Sequence, residues 1–88
     1  MLDVLKKLSW QERVITLQKY QKEYDLSLRA LSEEFNYSIG KLSYELTCAS
    51  ALGEHNADGT LKFPELLKMR SITDATKFLK RKHYHREI

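Results

Sequence analysis

Apolar residues recur at spacings of three and four along most of the chain, and no stretch alternates strictly between apolar and polar over five or more residues. Helices bury stripes of the first kind, whereas half-buried strands need a period of two, so the pattern predicts an all-α fold without a sheet. The first stripe, Val14, Leu17, Tyr20 and Tyr24, lies on an amphipathic helix of about four turns that begins at Trp10. Ser9 and Glu12 supply its capping box, the hydroxyl accepting an orphan amide proton while the glutamate reaches back. Leu5 and Leu8 are expected to pack under its start. The pattern breaks at 25–27, and Ser27 caps a shorter second helix that turns Leu28, Leu31 and Phe35 inward. Asn36, which tolerates the left-handed conformation of a tight turn, ends it.

Ser38 then caps a third helix with Ile39, Leu42, Leu46 and Ala49 inward and Gly53 placed to terminate it. After the loop-like stretch EHNADGT, Pro64 opens a fourth helix over PELLKM, and Thr73 with Asp74 marks a fifth that runs through Leu79 toward Tyr84. The expected architecture is a small five-helix domain containing a helix-turn-helix. Its core covers about residues 10–53, and a helical C-terminal part with a basic tail covers about residues 63–84; no linker divides residues 1–88.

Composition adds bounds to this picture. At 88 residues with 42% hydrophobic and 31% charged side chains, the chain has the apolar content to fold around one small core. No apolar run approaches the roughly 18 residues of a membrane span, and the start, MLDVLKKLSW, lacks the apolar centre of a secretory signal, so a cytoplasmic protein without membrane contact is expected. Cys48 is the single cysteine and has no internal disulfide partner, in keeping with a reducing compartment. The net charge of +3 is unevenly spread: residues 1–59 hold 7 Lys/Arg against 9 Asp/Glu, and residues 60–88 hold 8 against 3. A basic C-terminal surface favours a polyanion through counterion release, and a solvated helix face explains the same charges.

The stretch LRALSEEFNYSIGKLSYEL, residues 28–46, is where pattern and chemistry meet. A helix-turn-helix that reads DNA keeps small or flexible residues at its bend and leaves the outward face of its second helix free for the major groove. With Leu31, Phe35, Leu42 and Leu46 inward, the outward positions are Ser38, Gly40, Lys41, Ser43, Tyr44 and Thr47, with Arg29 on the preceding helix. Lysine reaches guanine or phosphate, hydroxyls meet either, and glycine permits close approach. Only one cation sits on that face, with Glu45 expected beside it, so Lys77, Lys80, Arg81, Lys82 and Arg86 are the supply for phosphate neutralisation.

The run from Leu8 to Leu52 resembles the helix-turn-helix of bacterial and plasmid partition proteins of the ParB/KorB type, through Ser38, Leu42, Ser43 and Leu46. The later segment FPELLKMRSITDATKFL is similar to the short helices that follow in that family, at Pro64, Ile72, Thr73 and Leu79. The same region is also similar to region 4 of bacterial sigma factors, through Ser38, Gly40 and Leu42. These resemblances imply sequence-specific binding of double-stranded DNA by a small phage- or plasmid-type transcription regulator or partition accessory. Asn36 stands in place of the usual turn glycine and Ser32 in place of the usual alanine, and no nucleotide-binding domain precedes the motif, so no nucleotide-driven clamp is implied. A homodimer is expected, because one recognition helix buries too little surface for strong specificity. The alternative is a protein-interaction module that engages a partner such as RNA polymerase.

EHNADGTLKFPE also resembles a calcium-binding EF-hand loop, which implies ligands at Glu54, Asn56, Asp58, Thr60 and Glu65, with Gly59 at the sharp bend and Leu61 as the apolar position. Glu54 stands where the shorter aspartate is usual, Lys62 brings a positive charge, and an Asp-Gly turn before a proline-started helix accounts for the same residues without calcium. His83 and His85 lie on different faces of a helix and make a poor zinc set with Cys48. No Gly-rich phosphate loop and no recognisable nucleophile motif is present, so no catalysis is expected. Trp10, Tyr20, Tyr24, Phe35 and Phe63 fall at helical spacing, the pattern of a core rather than of a stacking platform for single strands.

Overall fold

In a computed structural model, which describes residues 7–84, the chain forms four α-helices and one short 3₁₀ helix among those residues. They are α1 (Trp10–Glu23), α2 (Leu28–Phe35), α3 (Ile39–Leu52), the 3₁₀ segment Pro64–Lys68, and α4 (Ile72–Arg81). The expected fourth α-helix is thus a single 3₁₀ segment. Among the described residues no strand forms, and the one ladder contact is an isolated bridge between His55 and Leu61. No helix there is long and apolar enough to cross a membrane. Leu5, Arg86 and His85 lie outside the described residues.

Each α-helix begins with a serine whose hydroxyl accepts a backbone N–H three residues on: Ser9 from Glu12, Ser27 from Ala30, Ser38 from Lys41 and Ser71 from Asp74. The last of these moves the start of α4 ahead of Thr73, since Ser71 holds the extended conformation a cap needs. The helix ends at Arg81, short of Tyr84. Three helix ends are closed by a residue in the left-handed region that is not glycine: Asp25 after α1, Asn36 after α2 and His83 after α4. In each case the next amide bonds back five residues, as from Leu26 to Gln21, Tyr37 to Ser32 and Tyr84 to Leu79, and this satisfies the last free carbonyls. Asparagine is the least strained of the three residue types there. Asp25→Gly, which relieves the Cβ clash without touching a core side chain, is expected to stabilise the protein by about 0.5–1 kcal/mol in urea unfolding.

α3 is the organising element, packing against α1, α2, the 3₁₀ segment and α4. Two apolar clusters flank it. One joins Leu17, Leu31, Phe35, Leu42 and Leu46, with Leu8 and Tyr20 against it; the other joins Trp10, Val14, Cys48, Ala49, Leu52, Leu66, Ala75 and Leu79. The predicted stripes are therefore buried for the most part, with two exceptions. Tyr24 is 58% exposed and rests on the ring of Tyr20 at a centroid distance of 4.6 Å. Ile39, the first residue of α3, is 45% exposed.

The C-terminal half is clamped to α1 by side chains. Trp10 Nε1 donates to the carbonyl of Met69 at 2.8 Å, and Gln11 Nε2 donates to the carbonyls of Leu66 and Met69 at 3.0 and 2.9 Å. The Leu66 carbonyl also accepts from the Met69 amide at 3.4 Å, so α1 adds donors at the C-terminal end of the 3₁₀ segment and at the residue that caps it.

Candidate nucleic-acid interface

Leu31 and Phe35 bury the inner face of α2, and Leu42 and Leu46 anchor α3 over them. Between the helices lie Asn36, Tyr37 and Ser38. Asn36 takes φ 55° and ψ 42°, and the hydroxyl of Ser32 donates to the carbonyl of Tyr37. Ser32, a departure from the alanine of partition-type motifs, therefore ties the bend that Asn36 turns.

The bend presents the first turns of α3 to solvent. Ile39, Gly40, Lys41 and Tyr44 are exposed, Tyr44 at 39%. Ser38 is exposed as well, but its hydroxyl is occupied by the Lys41 amide. Lys41 Nζ sits 4.4 Å from the centroid of the Tyr37 ring, a cation–π contact that steadies the ammonium on this face. Burial, and then the negative charge of Glu45, push the Tyr37 phenol above its ordinary value, with Arg13 acting in the opposite sense. Ile39 is a member of this surface that periodicity assigned to the core.

Glu45 is not beside Lys41 on that surface. Its side chain is fully buried, and its Oε1 accepts from Arg13 Nε at 2.7 Å, joining α3 to α1. Its Oε2 has no hydrogen-bond partner among the described residues. The exposed end of α3 is consequently free of the negative charge that the linear sequence placed there.

Further along α3, Ser43 and Thr47 are half-buried and line a cleft whose other wall is α4. Gly40 and Tyr44 stand on the α3 side, and Thr76, Leu79, Lys80 and His83 face them. A shallower depression continues it from Tyr44 over Thr73, Thr76, Lys77 and Lys80. The fold thus unites Gly40, Ser43, Tyr44 and Thr47 with Lys77 and Lys80. Arg29, Arg81 and Lys82 are exposed but line neither depression, and Lys82 lies 5.6 Å from the Phe78 ring centroid. Lys80 and Arg81 occupy the last turn of α4, where cations also complement the helix dipole.

The 54–65 loop does not bring its acidic residues together. It is a hairpin turn in which Asn56 pairs with Thr60 and Gly59 takes φ 90°. Asp58 Oδ1 accepts from the Thr60 amide at 3.0 Å and from its hydroxyl at 2.6 Å, while Glu54 accepts from the Tyr84 hydroxyl at 3.3 Å. Glu65 opens the 3₁₀ segment and is exposed. Among the described residues no three His, Cys, Asp or Glu side chains are grouped to hold a metal ion, and the Asp58–Thr60 contacts form the Asx-type turn that the Asp-Gly sequence by itself predicts. The hydroxyl and then the amide of Thr60 hold the Asp58 carboxyl below the usual carboxylate range. A depressed value means that this contact stabilises the turn above the ordinary aspartate range and is lost as pH falls through the lowered one. The Thr60 amide resonance is expected to titrate at a lower pH than a free aspartate, and Thr60→Val to move that titration upward; an unchanged midpoint in the variant contradicts the assignment.

No protein-family model, no curated protein and no solved structure matches the chain.

Proposed function

We propose that this protein binds double-stranded DNA in a sequence-specific way, with the N-terminal turns of α3 in the major groove and α4 along a flanking phosphate strand. The observation that carries this reading is the asymmetry of α3. Its C-terminal half is buried among α1, the 3₁₀ segment and α4, while Ile39, Gly40, Lys41 and Tyr44 stand clear at its N-terminal end. In helix-turn-helix proteins it is the N-terminal residues of the recognition helix that reach base edges. Lys41 and the Tyr44 hydroxyl suit guanine or phosphate, Ile39 suits a thymine methyl group, and Gly40 removes the side chain that would hold the backbone away. Lys77 and Lys80 supply charge on the adjoining wall. The similarity to partition-type motifs agrees with this use of α3, and a regulatory or partition-accessory role for a homodimer follows from it as part of the same proposal.

A second reading, docking of a partner protein on the same end of α3, draws support from the exposure of the two large side chains Ile39 and Tyr44. Binding to duplexes separates the two. Affinity for duplex is expected to fall steeply between low and moderate salt, and Lys41→Ala combined with Tyr44→Ala is expected to remove the preference among sequences while the helical circular dichroism is unchanged. Absent or salt-insensitive duplex binding by the folded protein favours the protein partner.

A further inference from the structure

We propose that the cleft between α3 and α4 is a binding site for a small organic carboxylate with an apolar body. Its volume is about 440 Å³, within the range of small-molecule sites, and most of its wall is carbon. Leu79 and Cys48 on its floor are buried. Thr47 and Thr76 beside them already donate their hydroxyl protons to the carbonyls of Ser43 and Ile72, at 2.8 Å each, and ask no acceptor of a ligand. Burial keeps the Cys48 thiol above its ordinary value, so the floor carries no thiolate.

Hydroxyls of Ser43, Tyr44 and Tyr84 line the cleft as well, Lys80 is the lysine at its edge and His83 its other basic side chain, and among the described residues no Asp or Glu lines it. An ammonium group at the mouth of an apolar cleft, without a carboxylate beside it, selects a ligand that is anionic at one end and apolar over the rest. A phosphate group alone has the charge but nothing to cover the floor; a neutral hydrocarbon covers the floor but leaves Lys80 without a counter-ion. A carboxylate on a short aliphatic or aromatic body meets both demands. The cleft shares Gly40, Tyr44 and Lys80 with the proposed duplex-binding surface, but the ligand is titrated into the free protein, so its binding is read without any duplex.

The test is a titration of the isotope-labelled full chain with octanoate, followed by the amide resonances of Thr47, Thr76, Leu79 and Lys80, with octanol as the neutral counterpart. Octanoate is expected to shift these amides saturably and to bind roughly tenfold more tightly than octanol. Lys80→Ala is expected to bring octanoate down to the level of octanol. Thr47→Phe, which fills the floor, is expected to abolish both. Gly40→Phe serves the same purpose from the exposed edge, where an added Cβ meets nothing within 4 Å, and so keeps the test valid should Thr47→Phe unfold. No saturable shift at millimolar octanoate overturns the proposal. So does octanol binding as tightly as octanoate, or binding unaffected by Gly40→Phe in folded protein.

Discussion

Arg13→Ala is expected to lower the unfolding free energy by about 3 kcal/mol, a large share of the roughly 5–10 kcal/mol available to a domain of this size. The reason is the state in which it leaves Glu45. That side chain is fully buried on α3, and its one ion-pair partner among the described residues is Arg13, which is itself 22% exposed. Oε2 already lacks a donor, so removal of Arg13 leaves both carboxylate oxygens unsatisfied in a dry setting. Truncating one member of such a pair costs far more than the pair contributes, because the desolvated charge remains. The double variant Arg13→Met with Glu45→Leu removes both charges and is expected to regain most of the loss. Urea unfolding of the single and double variants decides the matter; a loss below about 1 kcal/mol in Arg13→Ala contradicts the role assigned to the pair. The functional consequence is positional, since Glu45 lies one residue after Tyr44 and fixes α3 against α1.

The second large effect concerns the phosphate contacts. Lys77→Ala with Lys80→Ala is expected to weaken binding to all duplexes alike and to flatten the salt dependence by about one counterion per lysine. Neither side chain faces the core, so stability should hardly change. Lys41→Ala with Tyr44→Ala is expected to act on the opposite quantity, erasing discrimination among sequences, because these groups stand at the end of α3 that is proposed to meet base edges. A uniform loss from the α3 variant, or a change of sequence preference from the α4 variant, reverses the assignment of the two helices. Binding measured at several salt concentrations for each variant distinguishes these outcomes.

Much of the helical scaffold was legible because its signals are local. Ser9, Ser27 and Ser38 announce helix starts within four residues, and Asn36 announces the bend in the same way. Gly53 caps α3 as expected, although in the right-handed region. What could not be read rests on contacts between distant segments. Glu45 sits at a position where a helix wheel allows a surface charge, and its partner lies 32 residues earlier on another helix. Ile39 has the spacing of a core residue, but at the first position of α3 it is left exposed. PELLKM carries a proline start and an apolar pair, yet it closes as a 3₁₀ segment, and the carbonyls of Leu66 and of the capping Met69 accept from Gln11 and Trp10, more than fifty residues away. In the 54–65 loop the oxygen-bearing residues carry two readings, a calcium loop and an Asp-Gly turn, and the Asp58–Thr60 contact belongs to the turn.

The sequence-derived site fared likewise. Helical spacing puts Gly40, Ser43, Tyr44 and Thr47 on one face, and all four line the cleft; their neighbours across it, Lys77 and Lys80, were named only for their charge. That Ser43 and Thr47 are partly covered by α4 follows from how the C-terminal half packs. The bases, on this account, are left to Ile39, Gly40, Lys41 and Tyr44.

The most direct test of that account is selection of bound duplexes from a random pool by the full-length protein at moderate salt, with binding to the enriched sequence then followed as salt is raised. The account predicts a short enriched motif whose binding falls steeply with salt and whose preference vanishes in Lys41→Ala with Tyr44→Ala. Recovery of no motif, or of a pool bound without regard to salt by folded protein, contradicts it.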